Sequence, residues 1–199
     1  MPNPSAKPFW AMLVVLAGCA TGPPPKEKEA EPPPVVRPVV VVERALIELV
    51  AALDLLKAGN YRQAEANLEE IIKVRPDIPE AHFNLGFARQ KLERHAEAIK
   101  AFEAGLRLRV DDAEATNMLG VSLRESGRFA DAEAAYRRGL ALAPNLDKLH
   151  LNLGILYELY LRKPAQALDS YRRYQSLQKV PDPKVSAWIA LLEKREAKP

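Results

Sequence analysis

The chain has 199 residues and a formal net charge of +3, which suits a single domain and is too weak a charge balance to indicate a nucleic-acid partner. Cysteine occurs once, at Cys19, so the chain can form no internal disulfide. These features exclude a disulfide-stapled fold and a strongly basic nucleic-acid binder.

An apolar run at residues 9–16 leads into a Leu-Ala-Gly-Cys sequence that ends at Cys19. A membrane helix needs about 20 apolar residues, so the run favours a signal peptide over residues 1–18. The four residues resemble a bacterial lipobox, whose cysteine becomes the first mature residue and is acylated on its sulfur and its amine. The resemblance implies a covalent lipid on Cys19, and Ala20 is compatible with sorting to the outer membrane. The simpler alternatives are a plain secretory signal and a cytosolic protein with an unusual start.

Residues 19–44 are predicted to be the lipidated cysteine followed by a proline-rich tether. Seven prolines lie in residues 20–38, with almost no large side chain before Val35. Such a segment cannot bury enough apolar surface to offset its ordering entropy. In polyproline geometry, at about 3.1 Å per residue, it reaches roughly 60 Å. We therefore expect the domain that follows to lie in the periplasm, facing away from the outer membrane.

A repeat of 34 residues follows the tether. Alanines recur at Ala64, Ala98 and Ala132, and glycines recur at Gly86, Gly120 and Gly154. The period divides residues 45–181 into four blocks, the last with one extra residue near Pro164: 45–78, 79–112, 113–146 and 147–181. Apolar residues at helical spacing on both sides of a turn predict two helices in each block.

Further positions recur in the blocks. A large apolar residue follows the recurrent alanine by four residues in each block: Leu68, Phe102, Tyr136 and Tyr171. The pattern resembles the tetratricopeptide repeat, a helix–turn–helix unit of 34 residues. The resemblance implies an all-α fold, an α-solenoid of four such repeats. Block one departs from the pattern, because Ala52 stands in the glycine position.

Residues 182–199 are predicted to be a capping helix and tail. Val185, Trp188, Ile189 and Leu192 follow one another at helical spacing. A stack of helix pairs leaves one apolar face bare at its end, and an amphipathic helix covers such a face. We therefore interpret Trp188 as a packing residue.

The resemblance also implies a binding groove on the first helices of the blocks. Its positions are occupied here mainly by apolar side chains: Leu46, Leu49, Leu53, Phe83, Phe87, Gln90, Asn117, Val121, Arg124, Leu151, Ile155 and Glu158. An exposed apolar groove usually marks an interaction surface. Two occupants are possible, either an apolar or amphipathic segment of a partner or the valine-rich residues 35–42 of the same chain. Self-association through the apolar first helix is a further alternative.

No catalytic or metal-binding pattern stands out in the sequence. Histidines 82 and 150 share one position two blocks apart, too distant to hold one metal, and His95 has no neighbouring ligands at a useful spacing. We expect a non-enzymatic scaffold with no cofactor except the lipid, anchored to the outer membrane and binding envelope proteins. Pilus or secretin assembly is the leading specific hypothesis. The alternatives are a periplasmic holdase for unfolded outer-membrane proteins and an adaptor for a cell-wall hydrolase.

Overall fold

The computed structural model describes the backbone of residues 38–196 and the side chains of residues 43–196. Within this range the chain forms nine α-helices and no strand, so the predicted all-α fold is confirmed. The helices are α1 (Pro38–Lys57), α2 (Tyr61–Val74), α3 (Pro79–Lys91), α4 (His95–Leu108), α5 (Ala113–Glu125), α6 (Phe129–Leu142), α7 (Asp147–Ile155), α8 (Pro164–Ser176) and α9 (Pro183–Glu196). The predicted signal peptide and Cys19 lie outside the described residues.

Helices α1 to α8 form four pairs that stack side by side. Each pair corresponds to one block of the repeat, and the second helix of a block packs on the first helix of the next. Helix α9 packs on α8. The stack is therefore the predicted solenoid of four helix pairs and a terminal helix. None of the helices in the described range is long and apolar enough to cross a membrane.

The first helix begins earlier than the repeat pattern predicts. Helix α1 starts at Pro38, so residues 38–44 belong to the helix and not to the tether. Proline is tolerated in the first turn of a helix, because the N–H groups there have no intrahelical partner. Residues 38–42 continue helix α1. Residues 35–37 of the valine-rich segment lie outside the described residues, so coverage of the groove by residues 35–42 stays one of the two alternatives.

The recurrent glycines lie under aromatic rings. A Cβ on Gly86 would lie 2.8 Å from Cδ1 of Phe102, and one on Gly120 would overlap the ring of Tyr136. Block one has Ala52 in this position and Leu68 in the ring position, and both are fully buried. Where leucine replaces the ring, the helices therefore leave room for one methyl group.

The extra residue of block four is taken up by a π-helical turn. Helix α7 continues into a π-helical segment at Leu156–Tyr160, where the Leu161 amide donates to the carbonyl oxygen of Leu156 at 3.0 Å. This hydrogen bond spans five residues, one more than in an α-helix. Tyr171, which follows the turn, still packs on Gly154, which precedes it. Gly154 faces Cδ1 and Cε1 of Tyr171, the same ring edge that Gly120 faces in Tyr136.

Helix α9 covers the C-terminal end of the stack, as predicted. Val185 and Leu192 are buried, and the ring centroid of Trp188 lies 5.4 Å from that of Tyr171. Asp182 caps the helix, because its Oδ1 accepts the Lys184 amide at 2.8 Å. Trp188 is therefore a packing residue.

The three junctions between blocks differ in chemistry. Glu65 of block one is buried and accepts hydrogen bonds from Arg89 at 2.9 Å and Arg94 at 2.6 Å of block two. In the corresponding position of block three, Glu133 accepts from Tyr157 and Lys163 of block four, each at 3.1 Å.

The middle junction has no such carboxylate. Ile99 of block two takes the corresponding position, Leu123 of block three takes that of Arg89 and Tyr157, and both are buried. At this one position the junctions are thus polar, apolar and polar in turn, while Gln90 of block two bonds Ser122 of block three elsewhere in the middle junction.

Two of the histidines attach a first helix to the loop before it. Nε2 of His82 donates to the carbonyl oxygen of Pro76, and Nε2 of His150 donates to that of Pro144, each at 2.8 Å. A carbonyl oxygen can only accept, so Nε2 carries the proton in both side chains. His82 and His150 therefore help to pack each first helix against the loop before it.

Candidate functional site

The first helices of the blocks lie on the inner side of the stack. Helix α3 contacts α1 and α5, and α5 contacts α7, whereas successive second helices make no comparable contact within residues 38–196. A stack whose first helices are closer together than its second helices curves with the first helices inside. The concave face is therefore formed by α1, α3, α5 and α7.

One residue from each first helix forms a row on this face. The row consists of Leu53, Phe87, Val121 and Ile155, which are spaced by 34 residues and so occupy the same position on successive helices. Each side chain is partly exposed and packs against the buried core. We call these four residues the apolar belt. All four belong to the groove that the sequence predicts.

Phe87 is the largest side chain of the apolar belt. Its ring lies edge to face with that of Tyr61, with the centroids 6.3 Å apart. The Lys91 amine lies 5.3 Å from the Phe87 centroid, within the range of a cation–π interaction. These contacts hold the ring in place and leave part of it open to solvent.

Phe83 and Leu151 flank the apolar belt. Both are partly exposed and pack on the core. The Phe83 ring lies directly against Gly105 of α4, and the Arg109 guanidinium is 5.6 Å from its centroid. Much of Phe83 is therefore used in packing within its own block, so Phe87 presents the better anchor for a partner.

Two of the predicted groove residues are not accessible. Leu49 is only 8% exposed and packs in the core of blocks one and two. Asn117 is 5% exposed, and its Oδ1 accepts a hydrogen bond from Nδ2 of Asn152 at 2.8 Å. Both residues join neighbouring helices, so in this conformation they offer a partner little accessible surface.

The predicted polar groove residues make hydrogen bonds within the stack, although Nη1 of Arg124 is buried without a partner among the described residues. The Gln90 amide donates to Oγ of Ser122 at 2.9 Å and so joins α3 to α5. The Arg124 guanidinium bonds to Glu125 at 2.8 Å, and its side chain is only 12% exposed. These residues form a polar border along the apolar belt.

Glu158 continues the same border in block four. It accepts the hydroxyl of Tyr171 at 2.9 Å. Burial, and then the hydrogen bond to Glu158, raise the pKa of the Tyr171 phenol, so the phenol keeps its proton and remains the donor. The border therefore holds the stack together and offers a partner few free groups.

A family model described as the tetratricopeptide repeat matches residues 49–89 and 88–147. These residues are tetratricopeptide repeats. The match begins within α1 and ends at the start of α7, so it spans the first three blocks. The fourth block shows the same helix pair and the same packing of a glycine on a ring, although its π-helical turn departs from the repeat length.

Solved tetratricopeptide structures share the fold. The pilF protein of Pseudomonas aeruginosa is 25% identical, with 78% of this chain and 70% of that chain covered and a TM-score of 0.69. MamA of Desulfovibrio magneticus RS-1 is 20% identical over 76% and 85% of the two chains, with a TM-score of 0.67. A thermophilic tetratricopeptide protein of Thermus thermophilus is 21% identical over 77% and 84%, with a TM-score of 0.61. None of the curated proteins matches this chain in sequence.

Tetratricopeptide repeat domains are generally non-catalytic and bind other proteins, and stacked repeats use their extended concave surface for binding. In this chain the part of that surface that remains accessible is the apolar belt with its flanking residues. The arrangement therefore suits the binding of an apolar segment of a protein.

Proposed function

We propose that this chain is a non-enzymatic scaffold, anchored by lipid to the outer membrane and facing the periplasm, that binds a protein partner along the apolar belt. One observation carries the proposal. Leu53, Phe87, Val121 and Ile155 repeat a partly exposed apolar side chain at one position of all four blocks, whereas Gln90 and Glu158 beside them are bonded within the stack.

The spacing of the apolar belt suits a helical ligand. Packed helices lie about 10 Å apart, so four successive first helices spread the belt over roughly 30 Å. A helix of about 20 residues has this length. An amphipathic helix that repeats an apolar residue about every seven positions, or about 10 Å along its axis, could lay these residues on successive members of the belt. The proposed partner therefore presents such a helix.

The proposed anchor and location rest on the sequence before α1. The Leu-Ala-Gly-Cys sequence ending at Cys19 supports lipidation, and Ala20 supports the outer membrane. Two or three acyl chains hold a protein durably at a membrane surface. Among envelope pathways we propose pilus or secretin assembly, the role of the tetratricopeptide lipoproteins that the sequence resembles.

A photocrosslinker tests whether the apolar belt binds a dedicated partner. We replace Phe87 with a photoreactive phenylalanine analogue in the full-length chain in its own cells and identify the crosslinked proteins by mass spectrometry. The matched control carries the analogue at Leu142, which is exposed on the second helix of block three. We expect one or two envelope proteins captured from position 87 alone, and equal capture from both positions would contradict the proposal.

The same experiment separates the alternatives. Many outer-membrane proteins in small amounts would instead support the holdase, and a cell-wall hydrolase as the captured protein would support the adaptor. With the photoreactive analogue at Val121 of the apolar belt instead, Phe87→Ala should reduce partner capture by at least about tenfold, as expected for an interface anchor. Leu142→Ala should leave capture unchanged, and circular dichroism should show equal helix content in both variants.

Membrane fractionation tests the anchor. Cys19→Ser removes the acylated atom, so the variant should remain as uncleaved precursor or leave the outer-membrane fraction. Ala20→Ser serves as the control, because it changes a neighbouring residue and keeps the cysteine. A Cys19→Ser protein that is processed and fractionates like the unchanged chain would contradict the lipid anchor.

A further inference from the structure

Helix α1 carries an apolar surface that the rest of the described chain does not cover. Leu46, Ile47 and Val50 are 52%, 70% and 59% exposed. They lie on the side of α1 opposite to Ala45, Ala52 and Leu56, which are buried against α2 and α3. We call the exposed residues Leu46, Ile47 and Val50 the α1 face.

The position of Ile47 shows what kind of surface this is. The corresponding residues of blocks two, three and four are Ala81, Ala115 and Leu149, and all three are buried. Leu149 packs on Gly139 in the second helix of the preceding block. Ile47 thus occupies a position that contacts a neighbouring helix in every other block, and block one has no preceding block within residues 38–196.

We propose that the α1 face binds the α1 face of a second copy of this chain, with the two helices antiparallel about a two-fold axis at Val50. Such an interface is isologous, so each contact occurs twice. Val50 meets its own counterpart at the axis. Ile47 and Leu53 lie three residues to either side of Val50, so each meets the other in the partner copy.

The charges on α1 are complementary in this arrangement. Glu43 and Lys57 both lie seven residues from Val50, in opposite directions, and both are exposed. Seven residues are close to two helical turns, so both lie on the same side as Val50. An antiparallel pair places Glu43 of each copy opposite Lys57 of the other. Lys57 already bonds to Asp54 at 3.1 Å, so its amine would bridge two carboxylates.

The contact is small. Helix α1 has 20 residues and is about 30 Å long, and one helix pair buries less area than a standard interface of about 1,600 Å². The dimer is therefore weak in dilute solution. A disulfide formed across the two-fold axis detects such a weak dimer better than size-exclusion chromatography does.

Disulfide trapping at Val50 tests the proposal. The full-length chain carrying Val50→Cys is oxidised in its own cell envelope and analysed without reductant. Two cysteines on a two-fold axis can reach the Cβ separation of about 3.8 Å that a disulfide requires. We expect a disulfide-linked dimer that reductant converts back to monomer. Val74→Cys is the matched control, because Val74 is also an exposed valine, at 61%, but lies on α2. The unchanged chain shows how much dimer forms through Cys19, its only cysteine, alone.

A charge exchange tests the antiparallel register. In the Val50→Cys background, Glu43→Lys and Lys57→Glu should each lower the dimer yield several-fold, because each places like charges opposite one another. The two changes together should restore it. A yield no higher than that of Val74→Cys, disulfides mainly to other proteins, or a double variant no better than the singles would each overturn the proposal.

The dimer shares Leu53 with the apolar belt, but the two proposals can still be tested separately. Phe87 lies on α3 and outside the α1 face, so Phe87→Ala should leave the trapped dimer unchanged while it lowers partner capture. Loss of the dimer with capture intact would reject the inference alone. Capture from position 87 no greater than from the control position, with the dimer intact, would reject the proposed function alone.

Discussion

The first and last blocks of the stack end in different ways. Beyond block four, α9 buries Val185 and Leu192 and places Trp188 against Tyr171. Before block one, the α1 face remains open within the described residues. The comparison shows that an end of a repeat array needs a cover of its own, and that in this chain the cover at one end is part of the same chain.

The two blocks also differ at corresponding internal positions. Block four packs Gly154 on the ring of Tyr171, whereas block one packs Ala52 with Leu68. The turn residue with left-handed backbone is Gly59 in block one, with φ 78°, and Arg162 in block four, with φ 53°. Only glycine adopts this backbone without a steric cost. Block four thus combines tight packing with a strained turn.

The largest expected effect contrasts the two ends directly. Leu192→Ala removes a fully buried side chain from the cap and should lower the free energy of unfolding by about 2–4 kcal/mol. Leu46→Ala, at the open end, should change it by about 0.5 kcal/mol or less. Urea unfolding of the dilute chain from residue 20 onward, followed by circular dichroism, measures both. Equal losses would show that the α1 face is buried in the isolated chain.

A double-mutant cycle tests why block one tolerates alanine. Gly86→Ala pushes a methyl group into the Phe102 ring and should cost about 1–3 kcal/mol. Adding Phe102→Leu recreates the Ala52–Leu68 pair, so the double variant should be less destabilised than the sum of the singles by about 1 kcal/mol. The same unfolding experiment applies to all four proteins. Additive losses would mean that ring size does not determine the residue at position 86.

The smallest expected effect concerns the turns. Arg162→Gly should raise the free energy of unfolding by roughly 0.5–1 kcal/mol, because glycine relieves the positive φ. Gly59→Ala in block one should lower it by about 1 kcal/mol, and no heavy atom lies within 4 Å of the added Cβ, so the loss reports backbone strain. Thermal unfolding shows whether each substitution raises or lowers the stability. A loss on Arg162→Gly would show that the arginine side chain stabilises the turn.

The repeat period and the capping helix could be predicted because each rests on a regular spacing. The recurrent alanines and glycines mark close helix contacts, and Val185, Trp188 and Leu192 form one stripe of α9. The start of α1 could not be predicted in this way. A run of valines after Pro38 favours no helix by its own propensity, and the run precedes the repeat that orders the later helices.

Only part of the candidate site followed from the sequence. Leu53, Phe87, Val121 and Ile155 are partly exposed as a groove requires, but Leu49 is buried and Asn117 is held by Asn152. The repeat pattern assigns a position to each residue, but small rotations of a helix decide how far each side chain is exposed. Whether any of these residues binds a partner stays a prediction.

The polar junctions were missed, although the sequence contains a signal for them. Glu65 and Glu133 are spaced by two repeat periods, and one partner of each, Arg89 or Tyr157, lies 24 residues further along the chain. Comparing positions between neighbouring blocks, and not only within each block, would have suggested these bonds. Their exact partners depend on side-chain reach, which the spacing alone does not give.

The π-helical turn at Leu156–Tyr160 has a consequence for how such a gene can change. An added codon would normally shift every later residue by about 100° around a helix and bring the wrong side chains to the core. Here the wider turn absorbs the addition before α8 begins, and Tyr171 still meets Gly154. The structural effect of a single-codon insertion is thus confined to one turn, and the residues encoded after it keep their positions in the stack.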